Sequence, residues 1–235
     1  MKINCFWEHN GGDTLLHCTD VLGAFTRGAT LDIAQSKMPN ELRAFARWSG
    51  TRVTDDCEIV IAEEKISALD ICDADSDAIF DCETQPMTAD EYLRLKSLAL
   101  KPAADFSALY RSVPDKNASR KKERSTFYGK VPRTAEEMYI HTKNVNSYYF
   151  GEIGVECDND GDILGARQRG FDLLERMPDF LRNKTVVGSY GEKWSVKKVL
   201  RRFIWHDRIH AKAMYRVARS IFGADGVSDV FLFDA

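Results

Sequence analysis

The sequence lacks the long apolar runs that would place it in a membrane. It contains no stretch of about 18 consecutive apolar residues, so no transmembrane helix is predicted. The residues after Met1 do not form the apolar segment of a secretory signal, and we therefore expect a cytoplasmic protein. A hydrophobic content of 44% and a charged content of 29% are ordinary for a folded globular chain.

Several common chemical motifs are missing as well. The six cysteines are scattered without any C-x-x-C pair, so they are predicted to be free thiols rather than metal ligands. A glycine-rich phosphate loop, a G-x-S-x-G turn and a usable Cys–His arrangement are also absent from the sequence. These absences direct attention to the histidines, of which there are five.

The small net charge of -3 conceals an asymmetry between two parts of the chain. Residues 1–86 carry 7 Lys and Arg against 16 Asp and Glu, a net charge of -9, and residues 87–235 carry +6. A step of this size predicts two domains with a boundary near residue 86. The acidic first part would repel a phosphate backbone, so nucleic acid is not an expected partner.

The first part, residues 1–86, shows short strand signals and one helix. The predicted elements are strands at Lys2–His9 and Thr14–Cys18 joined as a hairpin, a candidate strand at Phe25–Gly28, a helix from Thr30 to about Trp48, a strand at Glu58–Ala62 and a candidate strand at Ala78–Phe80. We therefore expect a small α+β unit with the order ββ(β)αβ.

The second part, residues 87–235, shows longer helical patterns. Four helices are predicted, at Thr88 to about Ser112 with a kink or break at Pro102, at Thr134–Phe150, at Ile163–Arg182 and at Ser195–Phe222. Helices of this length joined by loops predict an all-α four-helix bundle. The basic segment 114–133 is predicted to be a solvated loop. The alternative prediction is that this segment contacts an anion or a partner.

Three of the five histidines lie in the predicted bundle. His206 and His210 are one helical turn apart, a spacing at which two imidazoles can bind one metal ion, and His141 lies in another predicted helix. A three-histidine site with open coordination positions would suit metal-assisted chemistry. The alternative is that they are buried core histidines. Glu137, one turn before His141, is a candidate ligand or base, or an ordinary carboxylate at a helix N-terminus.

Other polar residues are expected on the surface. Asp207 is predicted to face solvent or Arg208, because it points about 100° away from His206 around a helix. His9 and His17, which flank the predicted hairpin, are also expected at the surface.

The segment from about Thr88 to Phe222 resembles the DinB-like superfamily of bacterial four-helix proteins. The resemblance rests on His141 in the run 139–142 and on the last-helix run 199–210. It implies that His141, His206 and His210 bind a divalent ion such as nickel, zinc or iron. It further implies a metal-dependent enzyme that acts with a low-molecular-weight thiol, as a transferase or a hydrolase, and a homodimer.

The segment from about Met1 to Cys82 resembles a HicB-like domain, which has a partial RNase H-like fold. The residues that carry this likeness are the run 6–9, the hairpin and the run 20–34, which leads into a helix. HicB domains commonly bind a small toxin, usually with a DNA-binding module in the place that the helical bundle takes here. The resemblance therefore implies an interaction or ligand-sensing module that recognises a protein partner.

Two functions from different classes follow. The first is a metal-dependent enzyme that acts on a small molecule at the three-histidine site. The second is a non-enzymatic binding or stress-response regulatory protein, in which the HicB-like part recognises a partner and the histidines only stabilise the bundle.

Overall fold

A computed structural model describes residues 2–52, 57–73, 75–127 and 129–234 of the chain. Within them the fold is mixed α+β, as predicted, with five α-helices and one four-stranded sheet. The strands of this sheet are β1 (Lys2–His9), β2 (Thr14–Cys18), β3 (Phe25–Gly28) and β4 (Glu58–Ile66). Their order is β3-β2-β1-β4, with β1 antiparallel to β2 and parallel to β4. The strand predicted at Glu58–Ala62 is thus confirmed and runs four residues further.

Helix α1 (Leu31–Ser49) crosses between β3 and β4 and covers the sheet. It begins where predicted, because the Thr30 hydroxyl accepts a hydrogen bond from the backbone N–H of Ile33. It ends at Gly50, which adopts a left-handed conformation with a φ of 72°. The buried face of α1 includes Leu42 and Phe45, so this helix supplies a large part of the core beneath the sheet.

The strand predicted at Ala78–Phe80 is wrong. This segment instead leads into a short 3-10 helix at Asp81–Thr84. Its backbone groups are used by side chains rather than by a sheet: the Ala78 carbonyl accepts from Arg201 at 2.8 Å, and the Phe80 N–H donates to Glu83 at 3.0 Å. Arg201 and Glu83 are themselves buried and paired at 2.5 Å, so the segment is fixed against the last helix.

Four helices form the second part of the fold. They are α2 (Ala89–Ser112), α3 (Ala135–Gly151), α4 (Ile163–Leu174) and α5 (Val196–Phe222). Helix α2 packs against α4 and α5, and α3 packs against the same two helices, which gives a four-helix arrangement. Buried side chains continue from this arrangement into the sheet and α1 as one hydrophobic core. The boundary near residue 86 stays a prediction.

Two helix predictions need correction. The break considered at Pro102 does not occur, because α2 is continuous from Ala89 to Ser112, and the kink considered there stays a prediction. Arg167 of α4 donates to the Ala99 carbonyl in the turn before Pro102 at 3.1 Å. Helix α4 ends at Leu174 rather than at Arg182, because Pro178 disfavours helical geometry in the residue before it and Asp179 has a φ of 61°. Only the short 3-10 helix at Phe180–Arg182 follows in that stretch.

The basic segment between α2 and α3 is held against the rest of the protein. It contains the short strands β5 (Ser125–Thr126) and β6 (Gly129–Lys130), which pair with each other. Arg124 forms an ion pair with Asp73 of the first part, and the Ser119 hydroxyl donates to the Arg133 carbonyl at 2.7 Å. Lys121, Arg124 and Lys130 of this segment line one side of a large cleft. None of the described helices combines the length and apolar composition that crossing a membrane requires.

Candidate metal centre

Helices α3 and α5 bring His141, His206 and His210 together. Helix α3 begins with a capping box, in which Thr134 accepts from the Glu137 N–H at 3.0 Å and Glu137 accepts from the Thr134 N–H at 3.2 Å. Helix α5 has a simpler cap, in which the Ser195 hydroxyl accepts from the backbone N–H of Lys198 at 3.1 Å. The two helices pack together, so the single histidine of α3 faces the pair on α5.

The three imidazole rings form a compact triangle. Their centroids are 5.0 Å apart for His141 and His206, 4.5 Å for His141 and His210, and 4.4 Å for His206 and His210. One ring nitrogen from each residue lies within 4.8 Å of the other two, and this group could hold a metal ion.

The closest pair of nitrogens has a separation that suits a shared ion. His141 Nε2 and His206 Nε2 are 3.1 Å apart. Two nitrogens that each lie about 2.0–2.1 Å from one ion are separated by about 2.9 Å at a right angle and about 3.4 Å at the tetrahedral angle. The same 3.1 Å also suits a hydrogen bond between the rings, which is the structural alternative.

The environment keeps the three imidazoles in the form that binds metals. Burial lowers the pKa of all three histidines, and mutual repulsion adds to this effect for His206 and His210. They are therefore neutral near pH 7, with a lone pair available for coordination. His206 Nδ1 is buried and has no hydrogen-bond partner among the described residues. Because the 3.1 Å approach to His141 is made by the other ring nitrogen, Nε2, this Nδ1 has no partner whether Nε2 binds an ion or a hydrogen bond, and it does not distinguish the two.

Asp207 lies next to the histidines and is fully buried, so the prediction that it faces solvent is wrong. It pairs with the buried guanidinium of Arg167, which donates to its two oxygens at 2.5 and 3.3 Å. Arg167 also donates to Asn146 of α3 at 3.0 Å, so one side chain of α4 joins α3 and α5 beneath the site. Asp207 Oδ1 is 3.6 Å from His206 Nδ1, which is too long for a hydrogen bond.

Glu137 has the role of a helix N-terminal carboxylate in this structure. Its Oε2 accepts from the backbone N–H groups of Arg133 at 2.6 Å and of Thr134 at 3.2 Å. These hydrogen bonds hold the pKa of Glu137 below its ordinary value. Among the described residues, the group of potential ligand atoms within 4.8 Å contains the three histidines and not Glu137.

The histidine triangle opens onto a cleft of about 1340 Å³. The cleft lies between the first part of the fold and the bundle, with α1 and β3 on one side and α3, α5 and the basic segment on the other. The aromatic rings of Tyr148, Tyr149 and Trp205 contribute to its wall. Small-molecule sites typically occupy about 300–1,000 Å³, so the cleft has room for a small molecule beside an ion.

The two N-terminal histidines lie outside this centre. His9 stacks on Trp7 at 4.0 Å and contacts Glu64 at 3.0 Å. His17 is 2% exposed, so the surface position predicted for it is wrong. Its ring packs among aromatic side chains, including Phe80 at 5.4 Å and Trp205 at 5.5 Å, and this burial lowers its pKa well below the ordinary value.

The spacing of the histidines in the sequence predicts the three-histidine group, but it does not predict the hydrogen bonds of Arg167 with Asp207 and Asn146 beneath that group. Arg167 gives no local sign of burial, because its partner Asp207 lies forty residues away.

All six cysteines are free. Comparisons with protein-family models, curated proteins and solved structures found no match to this chain.

Proposed function

We propose that this chain is a metal-dependent enzyme in which His141, His206 and His210 hold one divalent ion at the wall of the cleft. The observation that carries the proposal is the convergence of three neutral imidazoles from two helices, with two nitrogens 3.1 Å apart, beside a cleft of about 1340 Å³. Imidazole ligands suit nickel, zinc and iron, and three of them leave positions open for a substrate.

The described residues have separate tasks in this proposal. The three histidines bind and orient the ion, and their low pKa values keep protons from competing with it. The buried pair of Arg167 and Asp207 holds α4 against α5 and so fixes the position of His206. When bound, the ion would act as a Lewis acid that favours the deprotonated form of a coordinated thiol or water.

Transfer involving a small thiol is the reaction we favour, and hydrolysis is the alternative. The packing of α2 to α5 supports the likeness of the second part to DinB-like bundles, whose relatives include thiol-dependent enzymes. The strand and helix order of the first part supports its likeness to HicB-like domains. On this proposal, that part contributes a wall of the cleft through α1 and β3.

Turnover with defined ions tests the proposal. The metal-free protein is reconstituted separately with nickel, zinc and iron and assayed with small thiols and electrophiles, and then with hydrolysable esters and amides without thiol. We expect ion-dependent turnover that is lost in His206→Ala/His210→Ala and retained in the matched variant His9→Ala, whose imidazole lies outside the centre.

The pattern of turnover separates the alternatives. A requirement for thiol assigns transfer, and turnover without thiol assigns hydrolysis. Ion binding without turnover across the panel would contradict the enzyme proposal and favour a non-enzymatic binding protein with structural histidines. Circular dichroism of each variant checks that the helices remain folded.

A further inference from the structure

The charge of the cleft is opposite to that of the whole chain. The chain has 33 Lys and Arg against 36 Asp and Glu. Among the residues that line the cleft, however, eleven are Lys or Arg and four are Asp or Glu. A concave surface lined mainly by one sign of charge concentrates ligands of the opposite sign. The cleft is therefore suited to a negatively charged molecule.

The acidic residues do not neutralise this surface evenly. Asp73 is paired with Arg124, and Glu41 is paired with Arg208 at 2.6 Å. Lys121, Lys212 and Arg216 have no carboxylate within ion-pair distance in the part of the chain that the structure describes. These three side chains, which we call the cationic triad, come from the basic segment and from α5.

The cationic triad is a spatial cluster next to the histidines. Lys212 and Arg216 are one turn apart on α5, and Lys212 is two residues after His210. Lys121, on the basic segment, lines the same side of the cleft as α5. Burial lowers the pKa of Lys121, and the charges of Arg124 and Arg216 add to this effect. Like charges at i, i+4 destabilise a helix by a few tenths of a kcal/mol. Their presence here is explained if a bound anion compensates them.

We propose that Lys121, Lys212 and Arg216 form a subsite for the negatively charged end of a small molecule that carries at least two negative charges, as a phosphate group or as two carboxylates. This inference rests on the proposed function, because the subsite would place the opposite end of the same molecule at the three histidines. Lysine and arginine supply charge-assisted hydrogen bonds to phosphate and carboxylate oxygens alike.

Anion binding by the metal-free protein tests the subsite independently of the metal. Isothermal titration calorimetry of chelator-treated protein is performed with inorganic pyrophosphate and, separately, with tricarballylate. We expect binding that weakens as salt is raised. Binding of pyrophosphate alone assigns a phosphate, binding of tricarballylate alone assigns carboxylates, and binding of both supports a general polyanion subsite.

Matched variants locate the bound anion. Lys121→Gln/Arg216→Gln removes two exposed charges of the cationic triad, and Lys122→Gln/Arg176→Gln removes two exposed charges that do not line the cleft. Because each charge-assisted hydrogen bond contributes about ten-fold or more to affinity, we expect the first variant to lose at least about ten-fold and the second to bind as the wild type does.

Three results would overturn the subsite. They are no binding of either probe at millimolar concentration, an equal loss in both variants, and binding of a single-stranded oligonucleotide in place of both small probes. Failure of the metal proposal gives a different result, since the protein would then bind the anion with the same dependence on the cationic triad but would not retain an ion.

Discussion

Replacing Asp207 with asparagine removes the charge that faces the buried guanidinium of Arg167. Both side chains are inaccessible to solvent, and the guanidinium cannot lose its proton at any ordinary pH. Asparagine keeps the shape and one acceptor oxygen, so the main change is electrostatic. Breaking a buried pair by removing one partner typically costs about 3–5 kcal/mol, and we expect Asp207→Asn to lower the free energy of unfolding by that amount.

An exposed ion pair in the same region provides a matched control. Arg169, two residues after Arg167, pairs with Asp158 at 2.6 Å, but these side chains are 45% and 57% exposed. Water screens exposed pairs of this kind, so they contribute little to stability and Asp158→Asn should have little effect. The two substitutions make the same chemical change and differ mainly in burial.

Urea unfolding of metal-free protein at pH 7, followed by circular dichroism and tryptophan fluorescence, measures the difference. The double variant Arg167→Met/Asp207→Leu should be more stable than Asp207→Asn alone, because it leaves no unpaired buried charge. If Asp207→Asn and Asp158→Asn reduced stability equally, by less than about 1 kcal/mol, the proposed role of Arg167 beneath the histidines would be refuted.

Two further perturbations test other parts of the fold. Burial lowers the pKa of His17 below its unfolded value of about 6.5, so unfolding takes up a proton and stability falls as the pH falls below that value. Denaturation of metal-free protein between pH 7 and pH 5 measures how the free energy of unfolding changes with pH. This slope should be shallower in His17→Phe than in the wild type, by up to about 1.4 kcal/mol per pH unit, and equal slopes would contradict this. In Gly170→Ala the new Cβ would lie 2.1 Å from the buried ring of Phe150. Thermal unfolding should show that this substitution lowers the free energy of unfolding by about 1–3 kcal/mol or more. The control Gly151→Ala, whose Cβ would meet nothing within 4 Å, should be neutral or slightly stabilising. Similar values for the two variants would count against the packing of α3 on α4.

Local signals allowed much of the fold to be predicted from the sequence. The starts of α1, α2, α3 and α5 were predicted correctly, because Thr30, Thr88, Thr134 and Ser195 each cap the helix that follows with a side-chain hydrogen bond. The first two strands were predicted for the same reason, since alternating residues and a turn lie close together in the sequence. In this chain, structural features that depend on a few neighbouring residues can be predicted from the sequence.

Features that depend on distant residues were not predictable in the same way. The predicted end of α4 is eight residues too late. The strand predicted at Ala78–Phe80 is wrong because the Ala78 carbonyl accepts a hydrogen bond from Arg201, more than a hundred residues away in the sequence. The spacing of His206 and His210 predicts a shared face, but their approach to His141 depends on how α3 packs on α5. The burial of Asp207 likewise depends on Arg167, which the helical period does not reveal.

Metal content measured by elemental analysis tests the central claim most directly. Protein purified without an affinity tag is compared with His206→Ala/His210→Ala, each as purified and after reconstitution with nickel, zinc and iron. The account predicts about one ion per wild-type chain and none in the double variant, since two of the three ligands are then missing. No ion in the wild type after reconstitution with each metal, or equal retention by the double variant, would contradict it.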